Sequence, residues 1–186
     1  MLSPISAAAG RLLISEPFMP DPNFKRSVIL LTEYSEAGAM GFILNHQTEM
    51  MLGDILPDLS YSEIPVYMGG PVAENTLHYI HRCPEKIQGG IEIWGGIYWG
   101  GDFEQIKQLI TNYQLTEDEI KFFTGYSGWT PGQLDEELRE DAWIASNKFE
   151  ADNIFSNENN LWKEVVISLG QRYAHIANFP ENPMLN

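Results

Sequence analysis

Ser127 sits in Gly125-Tyr126-Ser127-Gly128-Trp129, between a strand-like stretch and a helix-like one. That is where a nucleophile elbow stands, a strained turn that exposes a serine hydroxyl to a histidine and an acid for acyl transfer. The Gly-x-Ser-x-Gly pattern is incomplete, because Trp129 fills the closing position that a small residue must occupy. A turn-forming or capping serine is the simpler reading. His78, His81 and Cys83 form the one group with metal-ligand character. On a strand His81 and Cys83 share a face while His78 points to the other, and a zinc site asks for three or four converging ligands. Half-buried sheet residues account for them, and no metal or cofactor is expected.

Two glycine turns could present backbone N–H groups to an anion: Gly100-Gly101-Asp102 and residues 128–133. No Gly-Lys-Ser/Thr follows either, and Asp102 would itself repel an anion. Gly132 keeps the second more open, since a residue without a side chain permits close approach. The acids Asp135, Glu136, Glu137, Glu140 and Asp141 beside it read as a solvated face near a positive helix end. The tryptophans at 94, 99, 129, 143 and 162 read as core anchors.

These groups need positioning elements. Thr130 is placed as an N-cap, Pro131 as the first helical residue and Gln133 as the third, a capping box with Trp129 and Leu134 as its hydrophobic staple. The helix so begun continues through Leu138. Upstream, strands are expected over residues 27–34, 39–45, 64–68, 77–81 and 120–124, with a turn at Ser35-Glu36-Ala37-Gly38. Thr48 is expected to cap a short helix running through Leu52 and Ile55 to Pro57. Gly-Gly pairs at 69, 89, 95 and 100 frame short apolar pieces at 91–94 and 97–99, which suits bent strands that approach closely. Asp102 caps a helix with Phe103, Ile106, Leu109, Ile110 and Tyr113 on one stripe. Residues 143–145 read as a strand, 161–169 as a helix, and 178–183 as an extended tail. Strands and helices mix without a βαβ rhythm, which points to one α+β domain over residues 1–186.

The chain has 186 residues, 44% of them hydrophobic, and a formal net charge of −15, so it is expected to be globular and to repel phosphate backbones. Lys25-Arg26 is the lone adjacent basic pair, so no nucleic-acid partner is expected. No apolar run approaches membrane-spanning length, so no membrane partner is expected either. Cys83 stands alone and residues 1–10 lack a signal-peptide pattern, so the expected location is cytoplasmic.

In order along the chain, Gly10-Arg11-Leu12-Leu13-Ile14-Ser15, the Pro17 to Phe24 loop, Gly38-Ala39-Met40-Gly41-Phe42-Ile43-Leu44-Asn45, Gly69-Gly70-Pro71-Val72, Gly100-Gly101-Asp102 and the Gly125 to Leu134 block resemble the YqgE/AlgH family of small bacterial proteins. The resemblance implies an α+β domain of bent, bifurcated β-sheets with a few packed helices. Some members carry the label of transcriptional regulator, and the family supplies no catalytic residues to carry over. Tyr34 stands where many relatives have histidine, and His46-Gln47 where a basic residue and proline are usual.

The expected function is a non-catalytic binding or interaction module for a small molecule or protein. Its groove is expected to gather Asn45, Gly69, Gly70, Pro71, Gly125, Tyr126, Ser127, Gly128, Trp129, Thr130, Gly132 and Gln133. The rivals are a serine-type hydrolase using Ser127 and a DNA-binding regulator, the latter opposed by the sign of the charge. The sequence leaves ligand identity and oligomeric state open.

Overall fold

A computed structural model describes residues 3–156 and 160–181. Its strands are β1 (Leu12–Ser15), β2 (Val28–Ser35), β3 (Gly38–Ile43), β4 (Gln47–Met51), β5 (Pro65–Met68), β6 (Val72–His81), β7 (Ile91–Trp94), β8 (Ile97–Trp99), β9 (Ile120–Trp129) and β10 (Trp143–Ser146). Its helices are α1 (Leu52–Ile55), α2 (Phe103–Thr111), α3 (Gln133–Arg139), α4 (Ala151–Phe155), α5 (Leu161–Ser168) and α6 (Gln171–Ala174). One mixed, mostly antiparallel sheet runs β10-β1-β2-β3-β9-β6-β8-β7, with β4 on β5 and β5 on β9.

Strands β1 and β2 are apolar at successive positions because both faces of the sheet are covered. Leu12, Ile14, Val28 and Leu30 join the core under α4, α5 and α6, while Leu13, Ile29 and Leu31 face Leu134 and Leu138 of α3. A third cluster packs Ile106 and Ile110 of α2 and Leu52 of α1 against Val66 and Phe122.

The sheet forks at β9. Along one edge, Ile120 to Tyr126 pair with β6. On the other edge Phe122 to Thr124 run parallel to β5, and Ser127 to Trp129 run antiparallel to β3. A strand thus runs through Gly125 to Trp129, where an irregular turn was expected. Gly125 bends it with φ +64°, and the glycines let a second backbone lie against it. They signal a close crossing rather than a loop.

Helix α3 also starts later than expected. Thr130-Pro131-Gly132-Gln133 is a type II turn: Gln133 N–H donates to the Thr130 carbonyl at 3.1 Å, and Gly132 takes φ +78°, ψ −13°. Half of the expected capping box survives, because Gln133 Oε1 accepts from Thr130 N–H at 3.0 Å. Trp129 and Leu134 still share one core cluster. Thr48 lies in β4 rather than capping α1, and its hydroxyl donates to the Val66 carbonyl at 2.8 Å.

Asp102 caps α2 as expected, accepting from the N–H groups of Glu104 at 2.9 Å and Gln105 at 3.2 Å. Tyr113 leaves the apolar stripe. It follows the cap with φ +55° in a Schellman arrangement, Gln114 N–H reaching the Leu109 carbonyl at 2.8 Å, and its side chain is 85% exposed. Left-handed backbone favours glycine, so Tyr113→Gly is expected to raise the unfolding free energy by about 0.5–1 kcal/mol in urea titration. A loss of stability would show that the exposed ring is held by packing. Of the tail expected over 178–183, Asn178 ends a 3-10 turn (Ile176–Asn178), and 182–183 lie outside the described residues.

Candidate functional site

The glycine segments do come together, and what they build is the fork. Gly69 N–H donates to the Thr124 carbonyl at 2.9 Å, while the Gly69 carbonyl accepts from Ile43 N–H at 2.9 Å and Ser127 Oγ at 3.0 Å. One residue, just past the end of β5, therefore ties β3, β5 and β9 together. A Cβ on Gly69 would strike the Gly125 carbonyl, and one on Gly70 the backbone of Tyr126. One on Gly125 would stand 2.5 Å from the Gly70 oxygen and 2.8 Å from that of Val72. Backbone atoms fill the space between these segments. Gly125→Ala is expected to cost about 2–3 kcal/mol, from left-handed strain plus overpacking, read as a lowered urea midpoint. A cost under about 0.5 kcal/mol would mean the crossing is loose.

Ser127 is wholly buried, with its hydroxyl committed to Gly69. No histidine stands among its hydrogen-bond partners, so the elbow geometry is missing. Asn45 is equally occupied: its Oδ1 accepts from Val28 N–H at 2.9 Å and its Nδ2 donates to the Arg26 carbonyl at 2.8 Å, clamping the chain before β2. Tyr126 is half-buried against the His78 ring, and Trp129 is buried. Pro71, Gly128, Thr130, Gly132 and Gln133 are exposed, and no atom approaches within 4 Å of the position a Gly132 Cβ would take.

His81 is buried beneath Tyr98, and burial lowers its pKa while its hydrogen bond to the Gly100 carbonyl opposes that. Its Nδ1 lies 4.0 Å from Cys83 Sγ, although β6 ends at His81 and Cys83 stands in the bend beyond it. Burial pushes the Cys83 thiol up to about 11, which keeps it protonated and unreactive. Among the described residues no three His, Cys, Asp or Glu side chains converge as metal ligands.

The acidic run after Gly132 is not uniformly solvated. Glu137 Oε2 accepts from both Trp129 Nε1 and Trp143 Nε1 at 2.8 Å, and its Oε1 accepts from Gln133 Nε2 at 2.9 Å. The two indoles meet edge to face, 6.0 Å between ring centroids. Their spacing from Glu137, eight residues before and six after, spans a strand end, a turn and a helix, so no periodicity signalled the convergence. Trp94 departs from the core role in another way, lying 37% exposed over Phe149.

Glu137 fixes α3, and the far end of α3 borders a cleft of about 620 Å³. Pro17, Phe18, Ala142, Ile176 and Phe179 give it apolar walls, with Phe18 and Phe179 stacked at 5.5 Å. Glu16, Glu140, Arg172 and His175 also line it. Asp141 lines it with φ +62°, a backbone state that aspartate tolerates better than most residues.

A model of the AlgH-like family (DUF179) matches residues 12–174. The chain belongs to that family. Among AlgH-like relatives, a UPF0301 protein of Bacteroides thetaiotaomicron is 41% identical over 178 residues, covering 95% of this chain and 90% of that one. A UPF0301 protein of Chlorobium limicola is 40% identical over 178 residues, covering 95% of both. The solution structure of the AlgH protein from Pseudomonas aeruginosa superposes with a TM-score of 0.72 at 25% identity, covering 95% of this chain and 97% of that one. A crystal structure of a Corynebacterium diphtheriae protein gives 0.75 at 21% identity, covering 94% of each, and shares the fold. The α+β class expected from the mixed strands and helices, and the AlgH-like architecture that the resemblance implied, are thus shown. Among the described residues no helix is long and apolar enough to cross a membrane.

Proposed function

We propose that the protein is a binding module without catalysis of its own, and that it holds its ligand at the C-terminal end of α3. The carrying observation is the 620 Å³ cleft between the Pro17–Pro20 loop, the Glu140–Ala142 turn and the segment from Arg172 to Phe179. Its volume and apolar lining suit a small organic molecule, with charged groups placed at the rim to orient it. The exposed Gly128 and residues 130–133 at the other end of α3 belong to the same reading as a flanking contact surface, because α3 links the two ends rigidly through Glu137.

The hydrolase reading lacks its nucleophile, since Ser127 Oγ is enclosed and already donates to Gly69. A DNA-reading role is opposed by the net charge of −15. The test is a thermal-shift screen against a metabolite library, run on the wild type and on Phe179→Ala. A ligand at one hundred times its Kd adds about 2.7 kcal/mol to native stability, so a binder is visible as a raised Tm. The expected result is a hit whose shift is lost in Phe179→Ala. A hit whose shift is fully kept in that variant would place recognition elsewhere.

A further inference from the structure

We infer that a second site, remote in sequence from the cleft, binds the guanidinium of an arginine carried on a basic peptide. It lies between the segment after residues 57–59 and the C-terminal end of α2, in a cleft of about 420 Å³. Tyr61 and Tyr113 stand there 48% and 85% exposed, ring centroids 6.4 Å apart and tilted by 46°. Large aromatic rings left this open on a folded surface are characteristic of recognition sites. The acids lining the cleft are Glu63 and Glu117, and no basic side chain lines it. Among the described residues neither glutamate has an ion-pair partner, whereas the lysines nearby are committed, Lys86 to Glu119 and Lys107 to Glu104.

A separate observation points to a missing ligand. Ser62 lines the cleft, is 7% exposed, and its Oγ, closed off from solvent, has no hydrogen-bond partner among the described residues. Its backbone is satisfied, N–H to the Leu59 carbonyl at 2.8 Å and carbonyl to Gly53 N–H at 3.1 Å, so the hydroxyl alone is left over. A buried hydroxyl without a partner is costly and native proteins rarely tolerate one.

Arginine answers all of these features. A planar guanidinium stacks on an aromatic face, pairs with a carboxylate, and has N–H groups to spare for the Ser62 oxygen once that side chain turns toward the cleft. Its three methylenes match the apolar wall of Ile64, Ile110 and Leu115. Lysine offers one compact charge and no plane to stack. A chain of net charge −15 draws basic peptides to itself, and this cleft supplies the specific contact.

The experiment is an amide NMR titration of the full chain with an acetylated, amidated Gly-Arg-Gly-Arg-Gly peptide. Its controls are the same peptide with citrulline for arginine, and free L-arginine. Shifts are expected to centre on residues 61–64 and 110–117, with the citrulline peptide at least tenfold weaker and the peptide tighter than free arginine. Glu63→Gln with Glu117→Gln is expected to weaken binding at least tenfold, and Tyr113→Gly to weaken it while the fold stays intact. Equal binding of the citrulline peptide, unchanged binding in the double variant, or shifts scattered over the acidic surface would each overturn the assignment. Free arginine binding as tightly as the peptide would overturn the peptide partner. Phe179→Ala leaves this titration untouched, so it stands or falls apart from the cleft at the end of α3.

Discussion

Glu137→Ala is expected to lower the unfolding free energy by about 3 kcal/mol. The carboxylate accepts two indole N–H groups on one oxygen and the Gln133 amide on the other. The tryptophans are 7% and 1% exposed, so truncation leaves two donors with little access to water. Hydrogen bonds to a charged group contribute about 1.5–3 kcal/mol each, and relief of the carboxylate's own desolvation offsets part of their sum. Glu137→Gln keeps one acceptor oxygen and is expected to cost about 1 kcal/mol. Trp129 belongs to β9 and Trp143 to β10, with β1, β2 and β3 between them in the sheet. Losing the bridge therefore frees α3 from two distant strands and loosens the Glu140–Ala142 wall of the cleft. Urea unfolding followed by tryptophan fluorescence gives the stability, and the thermal-shift response to a cleft ligand gives the coupling. Stability within about 0.5 kcal/mol of wild type would show that the indoles find other acceptors at no cost.

Glu137 also shows where the sequence stops being readable. Helical spacing correctly separates Leu134 and Leu138, both buried, from Asp135 and Glu136, both exposed. It cannot report that two indoles from different strands converge on one member of the acidic face. Local signals served well elsewhere: Asp102 caps α2, and the apolar run expected as a buried strand over residues 27–34 is β2, covered on both faces. The Gly69-Gly70 and Gly125 to Gly128 segments failed differently. A missing Cβ serves a turn and a close backbone crossing alike, and choosing between them needs the partner strand. The cleft and the Tyr61–Tyr113 surface both join segments far apart in the chain, and of their linings only the Pro17 to Pro20 stretch belongs to a segment that carries the family resemblance.

Lys121→Met is expected to stabilise the protein by about 2 kcal/mol at pH 7, and that gain should fade as pH rises toward 10. Lys121 lies on β9, 3% exposed, with no ion pair among the described residues. Its Nζ donates to the Ile154 carbonyl at 3.0 Å and the Ser156 carbonyl at 3.2 Å, and stands 4.0 Å above the Tyr67 ring. Burial pushes its pKa from 10.5 down to about 7. A displacement of that size corresponds to a burial penalty on the order of 5 kcal/mol. The carbonyls and the ring favour the charged form and hold the net effect below that ceiling.

Below pH 7 folded and unfolded chains both hold the proton, so the Lys121 penalty is complete. Between about 7 and 10.5 the unfolded chain binds more protons, and the contribution of this group to stability rises with pH. Cys83 and Tyr67 act in the opposite sense. Burial raises them to about 11 and about 12, so their contributions are lost as pH climbs above 9 and 10. Both are present in wild type and variant; Tyr67 touches Nζ but begins to contribute only near pH 10, so the difference at pH 6 and 8 reports Lys121. Urea unfolding of the pair at pH 6, 8 and 10 measures it. A gain independent of pH would mean that the ammonium stays charged throughout, held by the carbonyls of residues 154 and 156. Because those carbonyls end α4, the same lysine anchors the C-terminal helices whose last residues form one wall of the cleft, Ile176 and Phe179 among them. Ligand binding in Lys121→Met would then report whether that wall depends on the anchor or on the apolar packing of α5.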